Sequence, residues 1–489
     1  MNFGQQTSAW KILLIFISVA IFLRFPFFFR DYIDRDESTF ILMGQALVDG
    51  YLPYLKLWDL KPPLVFYFFA GIITIFGKSL IAIRLIACII IGFTAFFTFK
   101  LSSEFFNRKI SLISGFLSIY LLSIFGAMQG LMSEHLATLP LVMGLYYLIK
   151  NPNQKTLLTV GVLFGLAMMF RLNLAYAILF IQAYLVFQNK KISNGILNAI
   201  YVGMGSVILI LVVISPYIIT GNFNFLKVSV MDASLAYSDV SLKNMLKTLP
   251  FVISLLLICG LSIKFLKVKN YPHIMLLIVM ILGQSFMFFK SGKINGHYLI
   301  QIYPFLVILV VALISKIPFK LKFQKYAIPL LIVLGILLPM ETYFEWKNII
   351  ESKIKTGYLS NGEGFTIPRY LIENYEKEEY SDIFFLNEHI GYWMLDTQPP
   401  TAISTHPSNI FRPAAHAFVE ISQGSPFNEL KFILDQKPEF IVFDQKRNPV
   451  PREGEIFQLF NRTLESNYQL EKEFGNNSQV KLYKLKLQN

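Results

Sequence analysis

The stretch that decides the fold follows the first hydrophobic segment and reads Asp34-Arg35-Asp36-Glu37-Ser38, then Gly50-Tyr51-Leu52-Pro53-Tyr54, then Trp58-Asp59-Leu60-Lys61-Pro62-Pro63-Leu64. Six carboxyl groups fall between residues 31 and 59, in a chain of which only 15% of the residues are charged. Ionisable groups beside a hydrophobic segment are costly, so they are retained mainly for a task or for holding a loop at the surface. We therefore expect the functional residues of the protein in this first loop, residues 30–79.

Composition identifies the class of protein. The 489 residues are 54% hydrophobic, include 47 Phe and have a mean hydropathy of +0.53. Residues 1–340 cannot form a soluble domain, because apolar segments of about twenty residues recur along them, the length that crosses a bilayer core of roughly 30 Å. We predict an α-helical polytopic membrane protein of about eleven transmembrane helices, near residues 10–29, 80–99, 109–127, 134–149, 156–172, 174–188, 195–217, 247–266, 272–289, 298–315 and 326–340.

Charge orients these helices. The loops after alternate segments are basic and contain one acid, Glu104, whereas the intervening loops contain the opening acidic stretch, Glu134, Asp232 and Asp239. Basic loops stay in the cytoplasm, so the N-terminus is predicted inside and the C-terminus outside. The formal net charge of +13 is then mostly a topological signal, and we expect no nucleic-acid partner. Residues 62–76 are apolar but have no basic loop behind them, which predicts a helix lying in or dipping into the outer interface.

Residues 341–489 have the composition of a water-soluble domain. Short apolar runs typical of strands occur at Ile383–Leu386, Phe440–Phe443 and Val480–Tyr483, and residues 427–436 have helical periodicity. The sequence thus predicts a transmembrane module, residues 1–340, followed by an extracytoplasmic α/β domain, residues 341–489.

Two strings imitate nucleotide-binding motifs. Residues 71–79 end in Gly77-Lys78-Ser79 like a phosphate-binding P-loop, but five residues separate the two glycines where four are required, and no strand precedes them. Asp34-Arg35-Asp36 imitates the Asp-x-Asp of enzymes that use nucleotide sugars, yet in the predicted topology it faces outward, where such donors are not supplied. We assign neither string to nucleotide binding.

An acidic loop on the outer face suits sugar transfer from a lipid-linked donor. A polyprenyl phosphate is a good leaving group, so its departure needs cations that stabilise the developing phosphate charge rather than a strong general acid. The acceptor hydroxyl needs a base, and one carboxylate within hydrogen-bond reach suffices for an inverting displacement. The first loop supplies both a carboxylate and a lysine.

The Asp-Glu pair, the Gly-x-x-Pro-Tyr and the Asp-x-Lys-Pro-Pro-Leu of this loop resemble the first outer loop of the GT-C membrane glycosyltransferases, in the branch of the protein O-mannosyltransferases and the aminoarabinose transferases. The resemblance implies that Asp36 is the catalytic base and that Lys61 contacts the donor phosphate. Glu37 would orient Asp36 or the acceptor. The structural alternatives are that Asp36 caps a helix over Ser38–Val48, that Glu37 pairs with Arg35, and that Lys61 extends to lipid headgroups.

Two later elements also carry the resemblance. Ser133-Glu134-His135 stands where the family often has a second acidic position, and Gly296-His297-Tyr298-Leu299 resembles an element that opens a late helix in many bacterial members. One departure concerns the donor sugar, because the aminoarabinose branch tends to have Arg-Tyr after the Asp-Glu pair, where this chain has Thr39-Phe40. The resemblance therefore leaves the sugar open.

Outside the first loop, the candidate ligands of the donor phosphate are Arg84, Arg171, His297 and Tyr298. For both arginines the alternative is snorkelling to lipid headgroups, because each lies about one turn inside the outer end of a predicted helix. Glu134 is a candidate catalytic carboxylate, and any divalent cation, Mg²⁺ or Mn²⁺, would be held by Asp36 and Glu134. Family members differ in metal use, so the metal requirement stays open. No role is assigned to the histidines without ligand spacing, which are His273, His389, His406 and His416.

The sequence therefore predicts an inverting glycosyltransferase of the inner membrane, with a polyprenyl-phosphate sugar as donor and a lipid-linked glycan, a lipid A-like molecule or a protein as acceptor. Abundant Lys, Ile, Asn and Phe suggest a bacterium, and hence an undecaprenyl carrier. The alternative is a transporter or flippase of lipid-linked sugars. Against it, the charges gather at one face rather than at the bilayer midplane, where transport sites usually lie.

Overall fold

The computed structural model describes residues 8–31, 33–189, 191–237, 240–266, 273–316, 335, 337, 339–475 and 479–486. The chain forms two compact units: unit 1 is Met1–Phe28, Ile81–Ser215 and Ser238–Glu345, and unit 2 is Phe29–Leu80, Pro216–Tyr237 and Trp346–Asn489. The first loop thus shares a unit with the C-terminal residues. The division into residues 1–340 and 341–489 stays a prediction about the domains.

Unit 1 is built from apolar helices. Within the described part of the chain, four helices are long and apolar enough to cross a membrane: Ala9–Phe29, Leu80–Ser103, Ile192–Ile219 and Ile274–Ser291. The other helices are Arg108–Leu121, Ser133–Lys150, Gln154–Phe170, Ala175–Phe187, Leu242–Lys247, Leu249–Phe265 and Tyr303–Ile314. Turns of 3-10 helix lie at Phe25–Phe29, Gly126–Gln129, Leu172–Leu174 and Gly296–Gln301.

Each predicted segment from 10–29 to 298–315 overlaps one of these helices, so the apolar stretches located them well. The segment near 109–127 is shorter than predicted, since its α-helix ends at Leu121. The last predicted segment, residues 326–340, lies largely outside the described residues. The number of membrane crossings and their orientation remain predictions.

Glycines allow two helices of unit 1 to approach closely. A Cβ atom at Gly161 would overlap the carbonyl oxygen of Val202, and one at Gly205 would overlap that of Leu158. The hydroxyl of Ser206 donates to the carbonyl of Gly161 at 2.9 Å across the same contact. Small residues of this kind permit the van der Waals packing that drives helix association in lipid.

A buried arginine ends the first helix and fixes the chain ahead of Glu134. The guanidinium of Arg24 is fully buried and donates to the carbonyls of Gln129 at 2.7 Å and Gly130 at 2.9 Å, and to that of Met128. His135 adds a contact of 2.9 Å between its Nε2 and the carbonyl of Leu122. Backbone carbonyls outside a helix need such partners when they are buried. The two side chains thus set where the Ser133–Lys150 helix begins.

Unit 2 combines helices with a small sheet. The helices of the first loop are Arg35–Val48 and Pro63–Phe76, and Phe223–Lys227 and Ala233–Tyr237 flank a π-helical turn, Val228–Asp232. Met340–Thr356 leads into the C-terminal helices Glu363–Asn374, Ile390–Leu395, Pro407–Ile410, Pro413–Phe418, Pro426–Asp435 and Glu455–Asn467, with a 3-10 turn at Ile403–Thr405. Pro63–Phe76 is a helix as predicted, and its place in the membrane interface remains a prediction.

The sheet has four strands, β1 (Ile383–Phe385), β2 (Phe440–Asp444), β3 (Tyr468–Phe474) and β4 (Val480–Leu485), in the order β1-β2-β4-β3. β1 pairs with β2 in parallel, whereas β4 is antiparallel to both β2 and β3. Every residue of β2 is buried, which fits its central position. The three predicted strands and the predicted helix are confirmed. Strand β3 was not predicted, because Lys472 interrupts the alternation of its apolar residues Tyr468, Leu470 and Phe474.

Backbone hydrogen bonds attach the first loop to the C-terminal part of unit 2. Asn361 donates to the carbonyl of Phe29 at 2.8 Å and accepts from the backbone N–H of Asp31 at 3.1 Å. The buried carboxylate of Asp31 accepts from the backbone N–H of Gly364. Only glycine fits at position 362, where φ is +106° and a Cβ would overlap that carboxylate. The start of the loop is therefore fixed.

Candidate active site

The first turn of the Arg35–Val48 helix presents two carboxylates. Asp34 is the N-cap, and its Oδ1 accepts from the backbone N–H of Asp36 at 2.9 Å. The alternative in which Asp36 caps a helix over Ser38–Val48 is therefore wrong: the helix begins three residues earlier, and Asp34 performs the capping. Asp36 and Glu37 lie in the first turn, where the helix dipole favours negative charge.

Asp36 contacts Lys61, another predicted site residue of this loop. The Nζ of Lys61 donates to Asp36 Oδ2 at 3.0 Å, and the side chains are 13% and 18% exposed, respectively. This pair is more shielded than a surface ion pair, yet both groups remain reachable by a ligand. The Lys61 ammonium also lies 5.3 Å from the centre of the Phe40 ring, which adds a cation–π contact.

Hydrogen bonds on both sides of Lys61 fix its backbone. Asp59 Oδ1 accepts from the N–H of Lys61 at 2.9 Å, and the Tyr54 hydroxyl donates to its carbonyl at 2.6 Å. Tyr54 is fully buried, and this burial raises the pKa of its phenol, which therefore stays a donor. Two prolines then start the Pro63–Phe76 helix, whose first turn needs no N–H from them. The backbone of Lys61 is thus fixed by two hydrogen bonds and by the two prolines that follow it.

His406 meets the other oxygen of Asp36, a contact that the sequence did not predict. Its Nε2 lies 3.5 Å from Asp36 Oδ1. The Nδ1 accepts from the backbone N–H of Ser408 at 3.2 Å, and a backbone amide can only donate. In the neutral ring the proton is therefore on Nε2, facing Asp36. No spacing could have revealed this partner, because it is contributed by the remote C-terminal part of unit 2.

A second histidine fixes the start of the same helix. His389 is buried, with Nε2 3.1 Å from the hydroxyl of Thr39 and Nδ1 2.9 Å from the carbonyl of Asn387. Burial and the neighbouring His406 lower the pKa of His389 to about 3, so the imidazole is neutral at pH 7. His389 therefore holds the Arg35–Val48 helix in place without adding charge.

A separate cluster in unit 1 unites four residues predicted from the sequence. The carboxylate of Glu134 is fully buried, and its Oε1 lies 2.8 Å from Arg171 and 3.8 Å from Nε2 of His297. The guanidinium of Arg171 stacks on the Tyr298 ring, 4.6 Å from its centre. Arg171 also donates to the hydroxyl of Ser133 at 3.3 Å, and that hydroxyl donates to Glu134 Oε2 at 3.0 Å.

The two remaining candidate site residues, Glu37 and Arg84, are almost completely buried. Glu37 is 1% exposed in the first turn of its helix. Arg84 is also 1% exposed, and its guanidinium donates to the carbonyl of Phe27 within unit 1. This hydrogen bond ties Arg84 to the end of the first helix, and the role of Arg84 as a ligand of the donor phosphate stays a prediction.

The described residues contain no group of three His, Cys, Asp or Glu that could hold a metal ion. The two carboxylates suggested for a cation, Asp36 and Glu134, belong to different compact units. Asp36 contacts Lys61 and His406, whereas Glu134 contacts Arg171, His297 and the hydroxyl of Ser133. The metal requirement stays open.

A known protein family matches part of the chain. Residues 60–219 match the model of dolichyl-phosphate-mannose-protein mannosyltransferases, a range that includes Lys61, Glu134 and Arg171. Comparison with curated protein sequences gave no match.

Three solved structures resemble the chain along most of its length. ArnT from Cupriavidus metallidurans in the apo state has 11% identity and a TM-score of 0.60, with 98% of each chain covered. The same protein bound to undecaprenyl phosphate has 12% identity and a TM-score of 0.59, covering 97% of this chain and 98% of that one. The apo oligosaccharyltransferase of Archaeoglobus fulgidus has 12% identity and a TM-score of 0.52, covering 91% of this chain and 70% of that one. The chain has the GT-C fold of membrane glycosyltransferases, which the motif of its first loop predicted.

Proposed function

We propose that this protein is an inverting glycosyltransferase that moves a sugar from a polyprenyl-phosphate donor to a lipid-linked glycan, a lipid A-like molecule or a protein. The observation that carries the proposal is the contact of 3.0 Å between Asp36 and Lys61, in a chain with the GT-C fold. The matched family model and the ArnT structure bound to undecaprenyl phosphate support a polyprenyl-linked donor.

The proposed reaction assigns one role to each member of the pair. Asp36 takes the proton of the acceptor hydroxyl while the oxygen of that hydroxyl attacks the anomeric carbon of the donor sugar. The bond between this carbon and the phosphate oxygen breaks, and its electron pair leaves with the polyprenyl phosphate. Lys61 stabilises the negative charge that develops on the phosphate. Attack from the face opposite the leaving group inverts the anomeric centre.

The contact between the two residues also links donor binding to the base. In the structure, the Nζ of Lys61 donates a hydrogen bond to Oδ2 of Asp36. A donor phosphate that draws the ammonium towards itself releases this oxygen for the acceptor hydroxyl. His406, at 3.5 Å from Oδ1, keeps the carboxylate oriented while the ammonium moves. We therefore assign His406 a positioning role.

The roles predicted for the residues of unit 1 remain proposals. Arg171, His297 and Tyr298 are candidate ligands of the donor phosphate, and their contacts with one another support a common task. Glu134 is the candidate second carboxylate. Its ion pair with Arg171 supports a role in positioning that arginine, because a buried carboxylate left without its cation would be strongly destabilising.

We propose that the protein is a multi-pass protein of a bacterial inner membrane with unit 2 on the outer face, and a labelling experiment tests this. Glu453→Cys and Lys316→Cys each place one thiol at an exposed position, on opposite sides of the membrane in the predicted topology. We expect a membrane-impermeant maleimide to label Glu453→Cys in spheroplasts, and Lys316→Cys only after permeabilisation. The wild type is the control, because Cys88 and Cys259 are both buried. The opposite labelling pattern would place the first loop in the cytoplasm, away from the proposed donor.

A comparison of cell-surface glycans and lipids tests the function itself. We expect mass spectra of cells without the gene to lack one sugar residue that the wild-type gene restores and the Asp36→Asn gene does not. This result identifies both the sugar and the acceptor. If the Asp36→Asn gene restores the sugar, the flippase alternative gains support, because carrier transport does not require a base.

A further inference from the structure

A cavity at the other end of the Arg35–Val48 helix has no place in the proposed reaction. It measures about 240 Å³ and lies within unit 2, between the C-terminal end of that helix, the residue after Gly77 and the residues that follow the Ile390–Leu395 helix. Its floor is buried and apolar or aromatic, formed by Leu42, Ala46, Leu57, Tyr392 and Trp393. Its rim is exposed and polar, formed by Asp49, Lys78, Asp396 and Gln398.

Hydrogen bonds arrange the polar groups of this cavity in advance. The indole N–H of Trp393 donates to Gln45 Oε1 at 2.9 Å, and Gln45 Nε2 donates to Asp49 Oδ1 at 2.9 Å. Lys78 donates to the carbonyl of Trp393 at 2.8 Å and pairs with Asp396. The P-loop-like string that ends in Gly-Lys-Ser thus supplies Lys78 to this rim.

The charges of the rim select against an anion. Two carboxylates, Asp49 and Asp396, face one ammonium, Lys78, so the formal charge of the lining is negative. A phosphate or a carboxylate ligand would be repelled, whereas a ligand that donates and accepts many neutral hydrogen bonds would be held. An aromatic and apolar floor beneath such a rim suits the C–H face of a pyranose ring.

The volume and the position of the cavity restrict the class of ligand further. At about 30 Å³ per water molecule, a cavity of about 240 Å³ has room for about eight waters, which is comparable to one monosaccharide unit. Gln45 lies nine residues after Asp36 on one helix, which places it about 13 Å further along the helix axis and on the opposite face of the helix. An acceptor glycan of several units, whose end reaches Asp36, can pass around the helix and place an inner sugar unit in this cavity.

We propose that this cavity binds a neutral or amino-substituted sugar unit of the acceptor, some distance from the hydroxyl that reacts. This inference rests on the proposed function, because it assumes that the acceptor carries a glycan. The subsite would select acceptors by an inner sugar without touching the reacting atoms.

Ligand-observed saturation-transfer NMR tests the proposal with the full chain in a detergent that contains no sugar. The probes are the methyl glycosides of glucose, galactose, mannose, N-acetylglucosamine and glucosamine. We expect saturation transfer to at least one of them, and a loss of that signal in Asp49→Ala and Gln398→Ala, since each removes one hydrogen-bonding group and should weaken binding about tenfold. Matched controls are Gln436→Ala and Glu453→Ala, two exposed positions elsewhere in unit 2.

The outcomes separate this proposal from the proposed function. No signal with any of the five glycosides, or an equal signal in the rim variants and the controls, overturns the subsite. Failure of the proposed function has a different readout, full sugar transfer by Asp36→Asn. Where the acceptor has been identified, Asp49→Ala and Gln398→Ala should raise its KM about tenfold and leave kcat unchanged, because the cavity does not contact the reacting atoms.

Discussion

Asp36→Asn should insert and bind polyprenyl phosphate normally but lose sugar transfer by about 10²–10⁴-fold, the usual effect of removing a general base. Asparagine preserves the size of the side chain and can still accept hydrogen bonds from Lys61 or His406, which contact the two carboxylate oxygens. It cannot accept a proton. The measurement is single-turnover transfer by the purified protein in lipid vesicles, with thermal unfolding measured in parallel.

The matched control for this variant is Asp34→Asn. Asp34 caps the same helix, and asparagine is about as good an N-cap as aspartate, so this neighbouring variant should keep its activity within a few-fold. Since Asp34 and not Asp36 is the cap, a loss in Asp36→Asn alone cannot be attributed to an unravelled helix end. Glu37→Gln and Glu134→Gln complete the set. Full turnover in Asp36→Asn with a loss in one of these two would transfer the role of base to that residue.

The local part of the site could be predicted from the sequence, because its signals lie close together along the chain. Charge is scarce in this chain, so the carboxylates of the first loop and Lys61 stand out against apolar segments and lie in one continuous motif. The apolar segments themselves are long, and their helices were located with few errors. Even here the start of a helix was misplaced, since both Asp34 and Asp36 are good capping residues and the sequence cannot choose between them.

The contacts of His406 and His389 could not be predicted. Neither histidine has a metal-ligand spacing or a nearby partner in the sequence, and both meet the Arg35–Val48 helix only because the C-terminal residues and the first loop fold into one unit. Strand β3 could not be predicted from the sequence either. It pairs with β4 through its backbone, and only Tyr468 of its seven side chains is buried, so the sequence carries little of the alternation that marks a half-buried strand.

Lys61→Ala should lower the rate of transfer by about 10²–10³-fold, because removing one well-placed donor to a developing oxyanion typically costs roughly 2–4 kcal/mol. The protein should still fold, since His406 remains beside the carboxylate of Asp36 and both hydrogen bonds that fix residue 61 involve its backbone. The control is Lys56→Ala in the same loop, which removes an equal charge whose contact is the Tyr51 ring at 4.1 Å. It should transfer sugar at close to the wild-type rate.

The double variant Asp36→Asn/Lys61→Ala shows whether the two residues act in the same step. If Lys61 hands its contact from Asp36 to the donor phosphate as the acceptor loses its proton, the two losses are coupled, and the double variant should be little slower than Asp36→Asn alone. Independent roles would multiply the two losses instead. Wild-type transfer by Lys61→Ala would reject the phosphate role and leave this lysine as a headgroup contact, because a group that stabilises the leaving phosphate cannot be removed without slowing its departure.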